Sequence, residues 1–226
     1  ENGITPEKFK NFYVVTIDSQ KHQAKFYDNN ICKEFGRNIK CVLSTTVPKE
    51  VYDIVKQNDM PIYWLHTLFD YNKGQTSFNY ITGKIVKAKK GYGLPAIQTG
   101  GNVGTTAWII SWNILKSKIV SLIGIDHGFD VNTSWEDIEK FHPQNKPLLE
   151  LDKTDKRFQS AFPKVYNPDF KCYCLQDPLF QFYSNAFKEL IKKASDRVKT
   201  VNATEGGAIF GKNIQPMKFK EFLDNY

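Results

Sequence analysis

Short blocks of apolar, β-branched and aromatic residues punctuate the chain at 12–17, 39–44, 62–66 and 119–125, and polar residues close each one: Asp18 and Ser19, Thr45 and Thr46, His66, and Asp126 and His127. Blocks of this length, bounded by turn-forming residues, predict buried strands. Between them the apolar spacing lengthens to a helical period. Pro48 opens such a pattern through Val51, Ile54 and Val55, at a position where the missing proline N–H would be unpaired anyway, and the polar stretch 20–35 is expected to be helical in part. Strand alternating with helix predicts an α/β fold, a Rossmann-like, mostly parallel sheet with helices on both faces. Ligands of such sheets collect beyond the carboxyl ends of the strands, so the polar residues just named are expected to share one rim.

The rhythm weakens over 67–94, where Phe69, Tyr71, Phe78, Tyr80 and Ile81 mix with Gly74, Gly83, Gly91 and Gly93. This stretch reads as an insertion, either a lid or an ordinary long connection with one helix. Beyond Asp126 the pattern loosens again. Ser134 stands where it would cap a short helix starting at Trp135, whereas 143–169 is charge-rich with few periodic signals and reads as a mobile or irregular excursion. Pro178 restores helical spacing through Phe180, Tyr183, Phe187 and Ile191; residues 197–202 form a last predicted strand, and Glu221, Phe222 and Leu223 sit in a closing helix. The expected organisation is one domain over 1–226 with irregular insertions near 67–94 and 127–175. Its first residue is Glu1 and its first strand follows almost at once, a pattern expected of a domain whose N-terminal part lies outside the chain.

Composition narrows the class. With 41% hydrophobic and 24% charged residues, the 226-residue chain can offset its ordering entropy by burial, so disorder is excluded as the general state. The net charge of +7 comes from scattered lysines, with only short clusters at Lys84, Lys87, Lys89 and Lys90 and at Lys188, Lys192 and Lys193. That distribution suits a solvated basic surface that attracts phosphorylated substrates better than a nucleic-acid stripe. Cys32, Cys41, Cys172 and Cys174 are too few and too irregular for a disulfide framework, which points to a reducing compartment. No apolar run is long enough to span a membrane and no leader pattern opens the chain, so the cytoplasm is the expected location. Oligomeric state is not legible.

A first chemical pattern, less sharp than the Asp126-His127 pair, is the turn Thr99-Gly100-Gly101-Asn102-Val103-Gly104-Thr105, which leads into an apolar helical run at 107–115. Its glycines allow positive φ, Asn102 can cap the helix, and free first-turn amides at the positive end of the helix dipole favour a phosphate. A tidy strand-to-helix turn is the alternative. Asp126 and His127, at the end of the next strand, are the expected catalytic pair: His127 as general acid or base, Asp126 as a holder of a hydroxyl or of a metal ion with phosphates. Capping of the following turn is the competing role for Asp126, and Asp18 invites the same comparison. Asp18, Ser19, Thr45 and His66 join Asn202, Thr204, Glu205 and Gly206 as a further rim, and Asp18 with Asp126 would be the metal ligands if Mg²⁺ is used.

Several segments together carry a family resemblance: Gly3-Ile4-Thr5-Pro6 before the strand that ends in Asp18, Gly100-Gly101-Asn102-Val103-Gly104, the Leu122 to Asp126 strand end, the Tyr183 helix, and Asn202-Ala203-Thr204-Glu205-Gly206-Gly207-Ala208-Ile209 with Gly211. In these the chain resembles the 6-hydroxymethylpterin diphosphokinase MptE-like family, which includes motility accessory factors and whose core is similar to that of bacterial sialyltransferases. The resemblance implies a nucleotide-dependent transferase. It uses either a CMP-activated acidic sugar, the favoured reading, or ATP with Mg²⁺ for pterin diphosphate transfer. The chain lacks the Gly-Pro-Ser type nucleotide turn after a first strand that full-length relatives carry. A nucleotide-binding module without catalysis is the reading from a different class.

Overall fold

The computed structural model describes residues 11–68, 78–90 and 96–226, with no side chains described at 78, 79 and 88–90. Gly3 to Pro6 and most of the glycine-rich part of 67–94 lie outside these residues. The protein is a mixed α/β chain whose contacts divide it into two compact units, Glu1–Ala107 and Trp108–Tyr226, where the sequence pattern suggests one domain.

In the first unit, β1 (Phe12–Thr16), β2 (Ile39–Ser44) and β3 (Ile62–Leu65) form a parallel sheet in the order β1-β2-β3. Val14 pairs with Cys41, and Cys41 with Ile62. Side chains alternate along a strand, so Ile39, Cys41 and Leu43 of β2 share a face. Cys32 of α1 (Asn30–Phe35) and Val51 and Val55 of α2 (Lys49–Gln57) pack with that face, together with Tyr27 and Met60. Leu43, Val51 and Val55 are fully buried, each removal from water contributing roughly 1.5–3 kcal/mol. After α3 (Phe78–Lys90), Ile97 bridges to Thr67 in parallel, with the Ile97 N–H donating to the His66 carbonyl at 2.9 Å. This bridge carries the parallel arrangement past β3 and delivers the glycine turn to α4 (Val103–Ile109).

The second unit opens in the same helical run, which changes to a π-helix over Ile110–Ile114 and ends at Lys116 in left-handed backbone. The sequence predicts one helix over 107–115; the wider turn of the second half is the difference. Next come β4 (Ile119–Leu122), β5 (Phe129–Asp130), α5 (Trp135–Phe141), α6 (Lys146–Leu149), α7 (Lys156–Ala161), β6 (Lys164–Asn167), β7 (Cys172–Leu175) and α8 (Pro178–Lys193). Then β8 (Lys199–Asn202), β9 (Ile214–Pro216) and α9 (Phe219–Asn225) close the chain. β4, β8 and β9 form a parallel sheet in the order β4-β8-β9, and β5, β7 and β6 an antiparallel one in the order β5-β7-β6.

Three sequence expectations change here. The strand predicted over 119–125 stops at Leu122, because Gly124 takes φ +68 and breaks the ladder. The stretch 143–169, expected to be irregular, holds α6, α7 and β6. Phe158, Ala161 and Phe162 bury with Ile138 and Leu175 in a small core that short, irregularly spaced contributions hide from a periodicity reading. β9 was not foreseen; its ladder to β8 begins at Thr200 with Ile214, and a strand of this length leaves almost no pattern. Ser134 does cap α5, accepting from the Asp137 N–H at 3.1 Å, and Asp177 caps α8 ahead of Pro178.

Candidate functional site

Two strand edges gather the residues singled out by sequence, one in each unit. In the first unit, Asp18 lies just past β1, where its carboxylate accepts from the Gln20 N–H and from Gln23 Nε2, both at 2.9 Å. This is the capping role weighed against catalysis. Ser44, fully buried at the end of β2, shares hydrogen bonds with Thr46 Oγ1 at 2.9 Å and Thr67 Oγ1 at 3.1 Å. Thr45 Oγ1 lies 3.4 Å from His66 Nδ1, and Ser19 is exposed. The pairing of Ile97 beside His66 and Thr67 brings the following turn to this same edge.

The turn itself is built as its residues predict. Gly100 and Gly101 hold φ of +64 and +86, and a Cβ on Gly100 would come within 2.8 Å of the Thr105 side chain. Asn102 caps α4: its Oδ1 accepts from the Thr105 N–H at 2.9 Å, and its Nδ2 donates to Thr105 Oγ1 at 3.0 Å. Thr99 Oγ1 accepts from the Gly101 N–H. The Thr105 amide is therefore taken, while a helix start leaves the Val103 and Gly104 amides without an acceptor in the helix.

In the second unit, the loops beyond β4 and β8 meet. Thr204 joins them: its Oγ1 donates to the Leu122 carbonyl at 3.4 Å and accepts from the Ile125 N–H at 3.3 Å. Asn202, 1% exposed, holds the second loop from inside, donating to the Ile209 carbonyl at 2.7 Å and accepting from the Thr204 N–H. Asn167 of β6 clamps the same loop through the Gly206 and Gly207 carbonyls. Glu205 reaches away to the Phe219 N–H at the start of α9. Gly207, at φ +72, lies so close to Asp126 that a Cβ there would stand 2.6 Å from the Asp126 Cα and carbonyl oxygen. Backbone packing of that kind fixes where the Asp126 side chain emerges.

Asp126 is left with little to hold it. Among the described residues no donor reaches its carboxylate, and burial pushes its pKa above the usual carboxylate range. A Cβ on Gly206 would meet Asp126 Oδ1 at 4.0 Å and Cys172 Sγ at 3.8 Å. His127 behaves differently from the expectation of a general base. It is 7% exposed, held at φ +46, and ringed by Phe180, Tyr183 and Phe187 with centroids about 6 Å away. Burial first, and the Lys188 charge second, lower its pKa to about 4, so the imidazole is neutral at pH 7 and a weak base. Its Nδ1 is buried and has no hydrogen-bond partner among the described residues.

The residue that the sequence reading passed over is Lys188, counted there only in a charge cluster. On α8 it follows buried Phe187 and lies one turn beyond buried Ser184, a spacing that could have flagged a lysine at the rim of a buried face. Its ammonium stands 5.0 Å from the Phe210 ring centroid, and burial lowers its pKa. Nearby, Cys174 is a buried thiol pushed up to about 11, first by burial, and is inert as a nucleophile at neutral pH. Among the described residues no three His, Cys, Asp or Glu side chains gather as a metal site, and Asp18 already spends both oxygens on its own turn. No described helix is long and apolar enough to cross a membrane. No family model, curated protein or solved structure matches the chain.

Proposed function

We propose that this protein is a nucleotide-dependent transferase of the Rossmann-like kind, moving an acidic sugar from a CMP-type donor to an acceptor hydroxyl. The observation that carries the reading is Asp126: a half-buried carboxylate that no donor reaches among the described residues, set beyond the carboxyl ends of parallel strands against a loop that only glycine permits at Gly207. Such a group is kept at a cost to stability, and its raised pKa makes it a better base than an ordinary aspartate. In the proposed step the acceptor oxygen attacks the anomeric carbon, the bond from that carbon to the CMP phosphate oxygen breaks, and CMP leaves with the electron pair. The acceptor proton passes to Asp126. His127 is assigned a supporting place in the wall, since its neutral, enclosed ring is a poor base. Taken by itself, the glycine turn of the first unit offers the Val103 and Gly104 amides to an anion. Sugar transfer of this kind needs no metal ion.

A thermal-shift series with CMP, a CMP-activated acidic sugar, ATP with Mg²⁺, and a hydroxymethylpterin tests the proposal. The cytidine ligands should raise the melting temperature, and Asp126→Asn should keep that rise while abolishing turnover. A rise with ATP and pterin alone would replace the reading by diphosphate transfer. A rise with CMP but no turnover by the unaltered chain would make it a binding module.

A further inference from the structure

We infer that Lys188 is the anion-binding residue of the loop cluster around Asp126, taking a carboxylate or phosphate group of the substrate. The inference deepens the transferase reading and rests on it only for which molecule brings the anion.

Three observations converge. The first is position: Lys188 leaves α8 beside Phe187 and reaches the loop after β8, where its ammonium lies over the Phe210 ring. Its charge is felt by His127, which follows Asp126, and by Cys174 of β7, so it belongs to the same loop cluster. The second is isolation. Among the described residues Lys188 forms no ion pair, and the titratable groups around it are the neutral ring of His127 and the thiol of Cys174. Two basic residues at the opposite, amino edge of the same sheet are partnered instead: Lys199 donates to Tyr226 Oη at 2.6 Å, and Arg197 pairs with Asp196 and donates to the Lys193 carbonyl. The third is burial, since among the described residues the half-buried ammonium has a ring face and a thiol beside it, and the cation–π contact offsets its desolvation only in part. An incoming anion supplies the remainder. A lysine suits a compact anion, because its ammonium acts as a point charge with three donors.

The alternative is a lysine whose methylene stem alone matters, packed along α8 with its head in water. Lys188→Met keeps the stem and removes the charge, and Lys188→Arg keeps the charge. Calorimetric titration of the full chain with inorganic pyrophosphate, and separately with a free nonulosonic acid and its methyl ester, reads the site directly. One of the two anions should bind, the ester more weakly than the acid if the group is a carboxylate. Lys188→Met should weaken that binding by about tenfold or more, and Lys188→Arg should restore most of it. Unchanged affinity in Lys188→Met, or no binding of either anion to the unaltered chain, overturns the inference. Lys188-dependent binding without any sugar transfer would sustain the anion site and remove the transferase reading. Transfer with an unchanged KM in Lys188→Met would do the reverse.

Discussion

The strand edges of the two units are made of similar residue types and are left in opposite electrostatic conditions. In the first unit the polar groups answer one another: Asp18 with Gln20 and Gln23, Ser44 with Thr46 and Thr67, Asn102 with Thr105. In the second, Asn202, Thr204 and Asn167 tie the loops together through their backbone, while among the described residues no hydrogen bond or ion pair reaches the Asp126 carboxylate, the Lys188 ammonium or His127 Nδ1. Buried polar groups are almost always paired, so the unpaired ones mark where stability has been yielded to another requirement. The first edge reads as a scaffold that can present amides. The second leaves buried polar groups unsatisfied among the described residues.

The sharpest way to break this contrast is to disturb the backbone fit beneath Asp126. Gly207→Ala adds a Cβ 2.6 Å from the Asp126 backbone at a φ of +72, and should destabilise the protein by about 3 kcal/mol, read as a lower urea midpoint. A midpoint within experimental scatter of the unaltered protein would show that the loop gives way, and that Asp126 is not rigidly placed.

The next effect is a pH dependence. With a folded pKa of about 4 against an ordinary 6.5, His127 binds its proton more readily in the unfolded chain. Its contribution to stability is therefore complete above pH 6.5 and is lost as the pH falls toward 4, a difference on the order of 3 kcal/mol. His127→Phe should flatten the slope of stability between those pH values. A slope identical in both proteins would place the orphaned imidazole in contact with water and remove it from the comparison.

The smallest effects should differ in sign between the edges. Asn102→Ala deletes a cap and should cost about 1 kcal/mol. Asp126→Asn should instead stabilise slightly at pH 7. A carboxyl whose folded pKa is raised favours folding below its unfolded pKa and opposes it as pH rises through the folded one, so removing the charge relieves the folded state. Loss of stability in Asp126→Asn would return this residue to the structural role of an ordinary cap.

Much of the local structure was legible because it depends on neighbours in sequence. The caps at Asn102 and Ser134, the helix behind Pro178 and the strand at 39–44 follow from residues within a turn or two of one another. Asp126 was legible as a polar residue after an apolar block, although the strand ends three residues earlier than the block's composition suggests, at Leu122. What was not legible was long-range. β9 contributes only Ile214 to Pro216, and its strand character comes from lying beside β8. His127 looked like a base because it follows an acid at a strand end, and three aromatic rings from α8 decide otherwise.

The order of apolar and polar positions was enough to settle the mixed α/β character, the main helices and the identity of the residues at the strand ends, because each depends on backbone preference and on burying one face of a single element. Tertiary structure alone decided which of those residues keep their hydrogen-bonding capacity free. That depends on desolvation and on groups brought from far along the chain: Asn167 and Asn202 closing the loop, Phe180 and Phe187 enclosing His127, and Lys188 arriving from α8 with no carboxylate to meet it among the described residues.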